Sequence, residues 1–430
     1  MARVYHTFYV NDIPLIKQQM LNWANRFSIC CFLNNNEYKS AYNSFECLTA
    51  VGLLKIFREE NNFFESLTSF INSTDDWIFG HFNYDIKNKF EETFSANSDN
   101  ANFSDCFLFV PEIVLQLKEH SLIIAVTEKD DANTIYSEII EQLASNISIC
   151  TNDVNIKPKI SRNEYLNVVS KLQKHINRGD CYVINFCQEF FATVNIEPVS
   201  IYTQLNTISP NPFSAYYRVN DNYLMCASPE RYIKKEGDKI ISQPIKGTSA
   251  RNHTDTKTDY RNKIELFEST KDRSENVMVV DLVRNDISKV CEEGSVVVDE
   301  LFGIYSFPTV HQMISTVSGK LKPNIGLTDV LKATFPMGSM TGAPKKKVMD
   351  LTEKYESSKR GIYSGAVGYI SPGKNFDFNV VIRSLVYNKA TSYLSFFTGS
   401  AITSYSKPEN EYDECLLKGE AIMRVFSGKL

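Results

Sequence analysis

The chain has 430 residues, and its 46 lysines and arginines against 51 aspartates and glutamates give a formal charge of −5. This balance argues against a broad nucleic-acid-binding surface, and the lack of an apolar run of about 18 residues argues against a membrane span. The first residues, MARVYHTFYVND, do not have the apolar core of a signal peptide. Ten cysteines without a CxxC pair are typical of reduced, mostly buried thiols. We therefore expect a globular cytoplasmic protein with no membrane or nucleic-acid partner.

Residues 1–155 and residues 156–428 differ in pattern, and we expect a structural N-terminal portion followed by a catalytic portion. The first portion has strand-like runs such as RFSICCFL and SLIIAVT, without a string that indicates chemistry. In the second, apolar residues from Tyr165 to Ile176 repeat with helical spacing, and Gly179 marks the end of this helix. The strand-like runs that follow are joined by short turns, which favours antiparallel pairing and an α+β fold.

Two short strings place reactive groups next to apolar residues. ASPER puts Glu230 at the end of an apolar run, and PIKGT puts Lys246 between Ile245 and Gly247. A lysine with apolar neighbours loses part of its solvation, which favours a nucleophilic amine. Taken alone, ASPER is a weak signal that a turn with a solvated carboxylate also explains, and a lysine in such a string is more often a surface charge.

Two pairs of carboxylates have the same helical spacing. Asp272 and Glu275 are three residues apart, and Glu411 and Glu414 repeat this spacing with Lys418 further along the same face. Carboxylate oxygens are the ligands that Mg²⁺ prefers. Because either pair alone is typical of a solvated helix face, the prediction of a magnesium site depends on their joint presence.

The other strings offer groups that suit an anionic ligand. GSMTGAPK, which contains Ser339, is a small-residue turn before a helix, but it does not have the spacing of a P-loop. Three strand-like runs place Tyr363, Arg383 and Gly399 at strand positions or strand ends. Arg383 lies within the apolar string VVIRSL, where its guanidinium needs an anion. Either an internal ion pair or the carboxylate of a ligand would supply one.

In combination the strings carry a family resemblance. They follow one another as ASPER, QPIKGT, KDRSENVMVVDLVRND, VHQMIST, GSMTGAPK, GIYSGAVGYI, IRS and EYDE. In this order they resemble the chorismate-utilising enzymes, which include anthranilate, aminodeoxychorismate, isochorismate and salicylate synthases. The resemblance implies an α+β fold of two large, mainly antiparallel sheets packed together with helices outside. It also implies chorismate as substrate and Mg²⁺ as cofactor.

Lys246 indicates which branch of the family the chain resembles most. Aminodeoxychorismate synthases carry PIKGT, as this chain does, whereas anthranilate synthases carry alanine in place of the lysine. The resemblance implies that Lys246 adds to C2 of chorismate while the C4 hydroxyl leaves, and that ammonia then replaces the lysine by attack at C4. The product would be 4-amino-4-deoxychorismate, a precursor of 4-aminobenzoate and folate, and the enzyme a transaminase-type transferase. The alternatives are amination at C2, as in anthranilate synthase component I, and a catalytically silent homologue.

The resemblance also implies roles for the other residues. Glu230 matches the general acid that protonates the departing hydroxyl, a role that calls for a raised pKa. Glu275 and Glu414 would bind Mg²⁺ directly, and Asp272 and Glu411 would bind it directly or through water. The positions expected to contact substrate or line its pocket are Gly247, Thr248, His311, Ser339, Tyr363, Arg383, Gly399 and Lys418.

Three positions differ from the family pattern. Val183 stands where the water-activating members have a lysine, which counts against isochorismate and salicylate synthase activity. Gln312 aligns with the substrate-side histidine of anthranilate synthases, so His311 falls on the opposite side of an extended segment. Ala401 replaces a glycine that is usual in the turn after Arg383. The chain has no recognisable glutaminase module, and we therefore expect ammonia from a separate glutamine amidotransferase subunit.

Overall fold

A computed structural model of the chain describes residues 3–60, 62–90, 94–143 and 154–427. The boundary predicted near residue 155 comes directly after residues that lie outside this description. Residue 428, the predicted end of the catalytic portion, also lies outside it. The described helices are α1 Ile13–Ala24, α2 Phe63–Ser73, α3 Lys87–Phe90, α4 Ala132–Ile140, α5 Arg162–Asn177, α6 Pro198–Ile208, α7 Thr256–Glu268, α8 Thr270–Ser288, α9 Leu327–Thr334, α10 Lys345–Tyr355 and α11 Pro408–Phe426. Short 3₁₀ turns cover Tyr84–Ile86 and Gly338–Met340.

The described strands are β1 Val4–Tyr9, β2 Ile29–Asn34, β3 Cys47–Val51, β4 Lys55–Ile56, β5 Ile78–Phe82, β6 Cys106–Val110, β7 Ile113–Lys118, β8 Ser121–Val126, β9 Lys157–Pro158, β10 Val183–Thr193, β11 Phe213–Val219, β12 Asn222–Ser228, β13 Arg231–Glu236, β14 Lys239–Gln243, β15 Ile245–Ala250, β16 Val297–Ser306, β17 Val310–Lys320, β18 Gly342–Ala343, β19 Ala366–Ile370, β20 Phe376–Asn379, β21 Ser384–Asn388 and β22 Tyr393–Ile402. They form two antiparallel sheets. Sheet one has 12 strands in the order β1-β8-β7-β3-β2-β11-β12-β21-β22-β10-β18, with β9 also on β10. Sheet two has 10 strands in the order β15-β17-β14-β13-β20-β19-β5-β6-β4, with β16 also on β17.

The predicted α+β architecture of two large antiparallel sheets is confirmed. Strands from the first 126 residues lie in both sheets beside strands from later in the chain, so the two predicted portions share their sheets. An apolar cluster that includes Cys31 of sheet one and Phe79 of sheet two fills the space between the sheets. The described helices include none that is long and apolar enough to cross a membrane.

Helix α5 shows how local sequence produces these elements. Ser161 accepts from the backbone N–H of Glu164, and the Glu164 carboxylate accepts from the backbone N–H of Ser161, which closes a capping box. Tyr165, Val169 and Leu172 are its buried residues, on the face that the periodicity predicts. The predicted helix is confirmed.

The chain passes from one sheet to the other at two places that matter for the site. Pro229 and Glu230 connect β12 of sheet one to β13 of sheet two, and residues 380–383 connect β20 of sheet two to β21 of sheet one. These passages lie side by side, since the backbone N–H of Val380 donates to the Glu230 carbonyl over 3.0 Å. The Ser228 hydroxyl also donates to the Val380 carbonyl over 2.6 Å.

The second passage corrects one sequence prediction. We expected Arg383 inside an apolar strand, but it lies in the irregular passage immediately before β21, with φ at +53°. Its carbonyl accepts from the backbone N–H of Ala227 at the end of β12. The chain must turn here to enter the other sheet, which is why an apolar string does not continue as a strand.

Candidate active site

An open cavity lies beside the two passages, and its empty space, including the solvent at its mouth, amounts to about 1090 Å³. Twelve of the fourteen predicted site residues line it, namely Glu230, Lys246, Gly247, Thr248, Asp272, Glu275, Ser339, Tyr363, Arg383, Gly399, Glu414 and Lys418. They come from strands β15 and β22, helices α8 and α11, both passages, the Gly338–Met340 turn and, for Tyr363, the turn before β19. The fold therefore collects side chains that are up to 188 positions apart in sequence (from 230 to 418).

Glu230 is the most deeply buried acid that faces this cavity. Only 4% of the residue is exposed, and the Ser339 hydroxyl donates to its Oε1 over 2.7 Å. Burial raises the pKa of Glu230 to about 7, although the Ser339 hydrogen bond and the charges of Lys246 and Lys418 act in the opposite direction. Near neutral pH this carboxyl holds a proton for a substantial part of the time, as the sequence analysis expected of a general acid.

Lys246 lies near the start of β15, where the pairing with β17 is irregular. Its Nζ is 3.4 Å from Glu275 Oε2, and its side chain is 15% exposed. Asn276 of α8 donates to the Lys246 carbonyl over 3.3 Å, which holds the strand against the helix. Gly247 has φ of +102°, and a Cβ there would lie 3.1 Å from the Asp272 Cβ. This close approach requires glycine next to the lysine.

The carboxylates of α8 and α11 meet around lysine ammonium groups. Lys271 Nζ lies 3.8 Å from Glu275 Oε1 and 3.7 Å from Glu411 Oε1, so one cation stands between the two helices. Glu414 pairs with Lys418 over 2.6 Å. Burial alone would raise the pKa of Glu414, but the charges of Lys418, Lys246 and Lys271 lower it to about 2. The carboxylate of Glu414 is therefore charged at neutral pH.

The donor set fits a magnesium ion bound by few protein ligands. Oε1 of Glu275 and Oε1 of Glu411 are buried and accept no hydrogen bond. Within the described residues no three His, Cys, Asp or Glu side chains come together as a complete metal cluster, and Asp272 accepts from Ser269 at the start of α8. Magnesium is commonly held by one or two carboxylates together with water and substrate oxygens. The carboxylates of α8 and α11, with two oxygens that accept no hydrogen bond, meet that requirement, and the Lys271 ammonium is the cation within 4 Å of both oxygens.

Two cations, Arg383 and Lys418, line the cavity beside Glu414. Arg383 Nη1 donates to the Lys418 carbonyl over 2.9 Å, and Lys418 Nζ donates to the Gly399 carbonyl over 2.7 Å. Burial lowers the pKa of the Arg383 guanidinium below its ordinary value. Tyr363 stacks on Phe397 with ring centroids 5.1 Å apart and also lines the cavity. A ligand with carboxylates would find two cations here, Arg383 bound to a backbone carbonyl and Lys418 bound to a backbone carbonyl and to Glu414.

Two predicted residues lie outside the cavity lining. Glu411 does not line the cavity, but its Oε1 lies 3.7 Å from the Nζ of Lys271, which does. His311 points to the other face of β17, where its Nε2 lies 3.1 Å from Asp259 Oδ1 and its Nδ1 lies 2.9 Å from the Ser306 hydroxyl. Side chains alternate along a strand, so Gln312 faces the cavity instead, with its buried Oε1 unpaired. The structure does not bring His311 to the cavity.

Lys271 and Asn185 are among the residues that line the cavity and that sequence reasoning missed. Lys271 precedes Asp272 in KDRSE, and its position on the helix face of the carboxylate pair could have pointed to it. Asn185 lies on β10 and donates to the Met340 carbonyl over 3.3 Å, a long-range contact without a local sequence signal. Of the positions that differ from the family pattern, Val183 and Ala401 lie outside the lining.

The chain is similar to known proteins in sequence and in fold. The family described as chorismate binding enzyme matches residues 36–424. Aminodeoxychorismate synthase component 1 of Escherichia coli (strain K12) is 32% identical over 345 residues, which cover 80% of this chain and 76% of the relative. Anthranilate synthase component 1 of Aquifex aeolicus is 31% identical over 367 residues, covering 81% and 74%.

Solved structures share the fold. The menaquinone-specific isochorismate synthase of Escherichia coli superposes with a TM-score of 0.79 at 15% identity, covering 99% of this chain and 94% of that one. Anthranilate synthase component I from Streptococcus pneumoniae TIGR4 gives a TM-score of 0.72 at 22% identity, covering 98% and 92%. Both the family match over most of the chain and the relatives at more than 30% identity lead to one conclusion. The chain belongs to the family of chorismate-binding enzymes.

Proposed function

We propose that the chain aminates chorismate at C4 with ammonia and produces 4-amino-4-deoxychorismate, in the synthesis of 4-aminobenzoate and folate. The observation that carries this proposal is Lys246, which faces the cavity together with the buried acid Glu230. The relative named aminodeoxychorismate synthase component 1 supports it, with 32% identity over 80% of the chain. The reaction replaces a poor leaving group, and a covalent intermediate divides that difficult displacement into two easier ones.

In the first step the Lys246 ammonium, which pairs with Glu275 in the free site, releases a proton to solvent, and the neutral amine attacks C2 of chorismate. The ring double bonds shift, the C4–O bond breaks, and the proton of the Glu230 carboxyl goes to the departing hydroxyl, which leaves as water. Glu230 suits this role because burial raises its pKa to about 7. The result is an enzyme–substrate adduct through nitrogen and an ionised Glu230.

In the second step ammonia attacks C4 and the bond between C2 and the Lys246 nitrogen breaks. The lysine recovers its electron pair as a neutral amine, and one proton of the new C4 ammonium returns to Glu230. The sum of both steps is chorismate plus ammonia giving 4-amino-4-deoxychorismate plus water. The chain's own groups are regenerated at the end.

Chorismate is a dianion, and the cavity offers separate places for its two carboxylates. Arg383 and Lys418 would bind one of them, with the Tyr363 ring and the Gly399 backbone beside it. Glu275 and Glu414 would hold Mg²⁺ directly, and Asp272 and Glu411 would hold it directly or through water. When bound, this ion neutralises the other carboxylate, which a cluster of acidic side chains would otherwise repel.

Amination at C2, as in anthranilate synthase component I, is the alternative. Relatives of that name are also found, at 31% identity for the Aquifex aeolicus protein. Lys246 favours amination at C4, since a direct attack of ammonia on C2 needs no lysine there. Gln312 at the wall of the cavity also favours the C4 reaction, because the resemblance places a histidine there in anthranilate synthases.

The proposal includes a partner and a compartment. The name component 1 of the relatives supports a separate subunit that supplies ammonia from glutamine. Eight of the nine described cysteines are buried and all nine are free, which suits a reducing cytoplasm.

Product identity tests the proposed function directly. With chorismate, Mg²⁺ and an ammonium salt, we expect no fluorescent anthranilate, and 4-aminobenzoate only after an aminodeoxychorismate lyase is added. The products can be separated by chromatography and identified by mass. Anthranilate formed without the lyase would establish the C2 reaction instead.

Substitution of Lys246 tests the covalent step. Lys246→Ala should lower kcat for amination at C4 at least about a hundredfold, because the nucleophile is lost while the acid remains. Lys257→Ala is the matched control, since Lys257 is exposed on α7 and does not line the cavity. Amination at C4 by Lys246→Ala at the wild-type rate would remove the adduct from the mechanism.

Magnesium titration tests the proposed ligands. Glu275→Gln and Glu414→Gln should each raise the Mg²⁺ concentration needed for half-maximal activity by about tenfold or more, because a charged oxygen ligand is lost. Binding of Mn²⁺, followed by electron paramagnetic resonance without substrate, should weaken in parallel. Asp281→Asn is the control, since Asp281 lies on α8 with Glu275 and its carboxylate is 75% exposed. Unchanged metal titrations in both glutamine variants would refute this assignment.

A further inference from the structure

A buried ion pair lies behind the wall of the cavity without lining it. Arg360 Nη2 is 2.6 Å from Glu356 Oε1, and Arg360 Nε donates to Glu356 Oε2 over 2.9 Å. Arg360 is 3% exposed and Glu356 is 8% exposed. None of the steps described above uses either residue.

The pair is connected to two segments that form the cavity wall. Arg360 Nη1 donates to the Met340 carbonyl over 2.6 Å, and Nη2 donates to the Asn185 carbonyl over 2.8 Å. Glu356 Oε1 accepts from the backbone N–H of Cys187 over 3.0 Å. Met340 and Asn185 line the cavity, so one planar guanidinium joins two of its walls.

The wall that contains Met340 also carries the residue that touches Glu230. Ser339 is the middle residue of the Gly338–Met340 turn, and its hydroxyl donates to Glu230 Oε1 over 2.7 Å. The Met340 carbonyl that Arg360 binds belongs to the residue next to Ser339. Movement of this carbonyl would therefore move the hydroxyl that contacts Glu230.

A contribution to stability does not by itself account for this pair. Removing two charges from water costs about as much as the pair regains, and apolar residues of similar size are often equally stable. What apolar side chains cannot supply is a set of directed hydrogen bonds to carbonyls on two different segments.

We propose that Arg360, held in place by Glu356, is a positioning residue that keeps Ser339 against Glu230. This inference rests on the proposed role of Glu230 as the acid. The charged groups that face Glu230 are Lys246 on β15 and Lys418 on α11, and Arg360 acts through the backbone of the turn.

The sign of the expected effect follows from the hydrogen bond. The Ser339 hydroxyl stabilises the ionised form of Glu230, and losing this contact raises the pKa of Glu230 further. The acid works only while protonated, so activity is present below its pKa and is lost as pH rises through it. A displaced Ser339 therefore moves the alkaline limb of the pH profile to higher pH.

The experiment is a double-mutant cycle on the pH dependence of kcat/KM for chorismate, with ammonia as the nitrogen source. Arg360→Lys keeps a charge for Glu356 but cannot bind both carbonyls, and Ser339→Ala removes the hydroxyl. We expect each variant to move the alkaline limb up by roughly one pH unit, and the double variant to move it no further than Ser339→Ala alone. Glu356→Gln is a second variant that keeps the shape of the pair, and it should move the limb in the same direction.

The control is the same substitution at another buried ion pair. Arg3 is 2.6 Å from Asp76, with side chains 2% and 6% exposed, and neither lines the cavity. Arg3→Lys should lower the melting temperature without moving the pH profile.

If Arg360→Lys and Glu356→Gln lower stability but leave the profile in place, the pair is merely structural. Shifts of Arg360→Lys and Ser339→Ala that add would also overturn the proposal. A wild-type chain that does not aminate chorismate would instead contradict the proposed function.

Discussion

The chain must pass between its two sheets twice at neighbouring places, and the site depends on this constraint. Both passages are bound to each other through Val380, whose N–H donates to the Glu230 carbonyl and whose carbonyl accepts from Ser228. Strand pairing ends at each passage, so the residues there do not continue the alternation of a strand, and side chains from both passages line the cavity beside the sheets. Glu230 and Arg383 are brought to one cavity in this way, with an acid and a cation held on connected backbone.

Two glutamates that line the cavity have different pKa values because their surroundings differ. Burial raises the pKa of Glu230 to about 7, whereas Lys418 and the other lysines lower the pKa of Glu414 to about 2 against the effect of burial. One carboxyl is thus suited to give a proton and the other to remain charged beside a cation. The overall charge of −5 conceals this arrangement, because Lys246, Lys271, Arg383 and Lys418 all face one cavity in an acidic protein.

Much of the fold and of the site can be predicted from the sequence, because local patterns indicate individual elements. Contacts between distant segments leave no such pattern, and they are what the prediction misses. The helix around Tyr165 and the antiparallel strands are local patterns, and the motif strings identify twelve residues that share the cavity. The irregular backbone at Arg383 could not be predicted from the sequence, because an apolar string is equally typical of a strand and of a buried passage between strands. Asn185 and the pair of Glu356 and Arg360 also escape detection, since their contacts join segments that are far apart in sequence.

The central claim is that burial keeps Glu230 protonated close to neutral pH, and titration of this carboxyl tests it most directly. Infrared difference spectra of the wild-type chain minus Glu230→Gln isolate the carboxyl band of Glu230 as pH is varied. The account predicts a midpoint at about 7. A midpoint near the ordinary value of 4.5 would contradict it, because Glu230 would then have no proton to give to the departing hydroxyl.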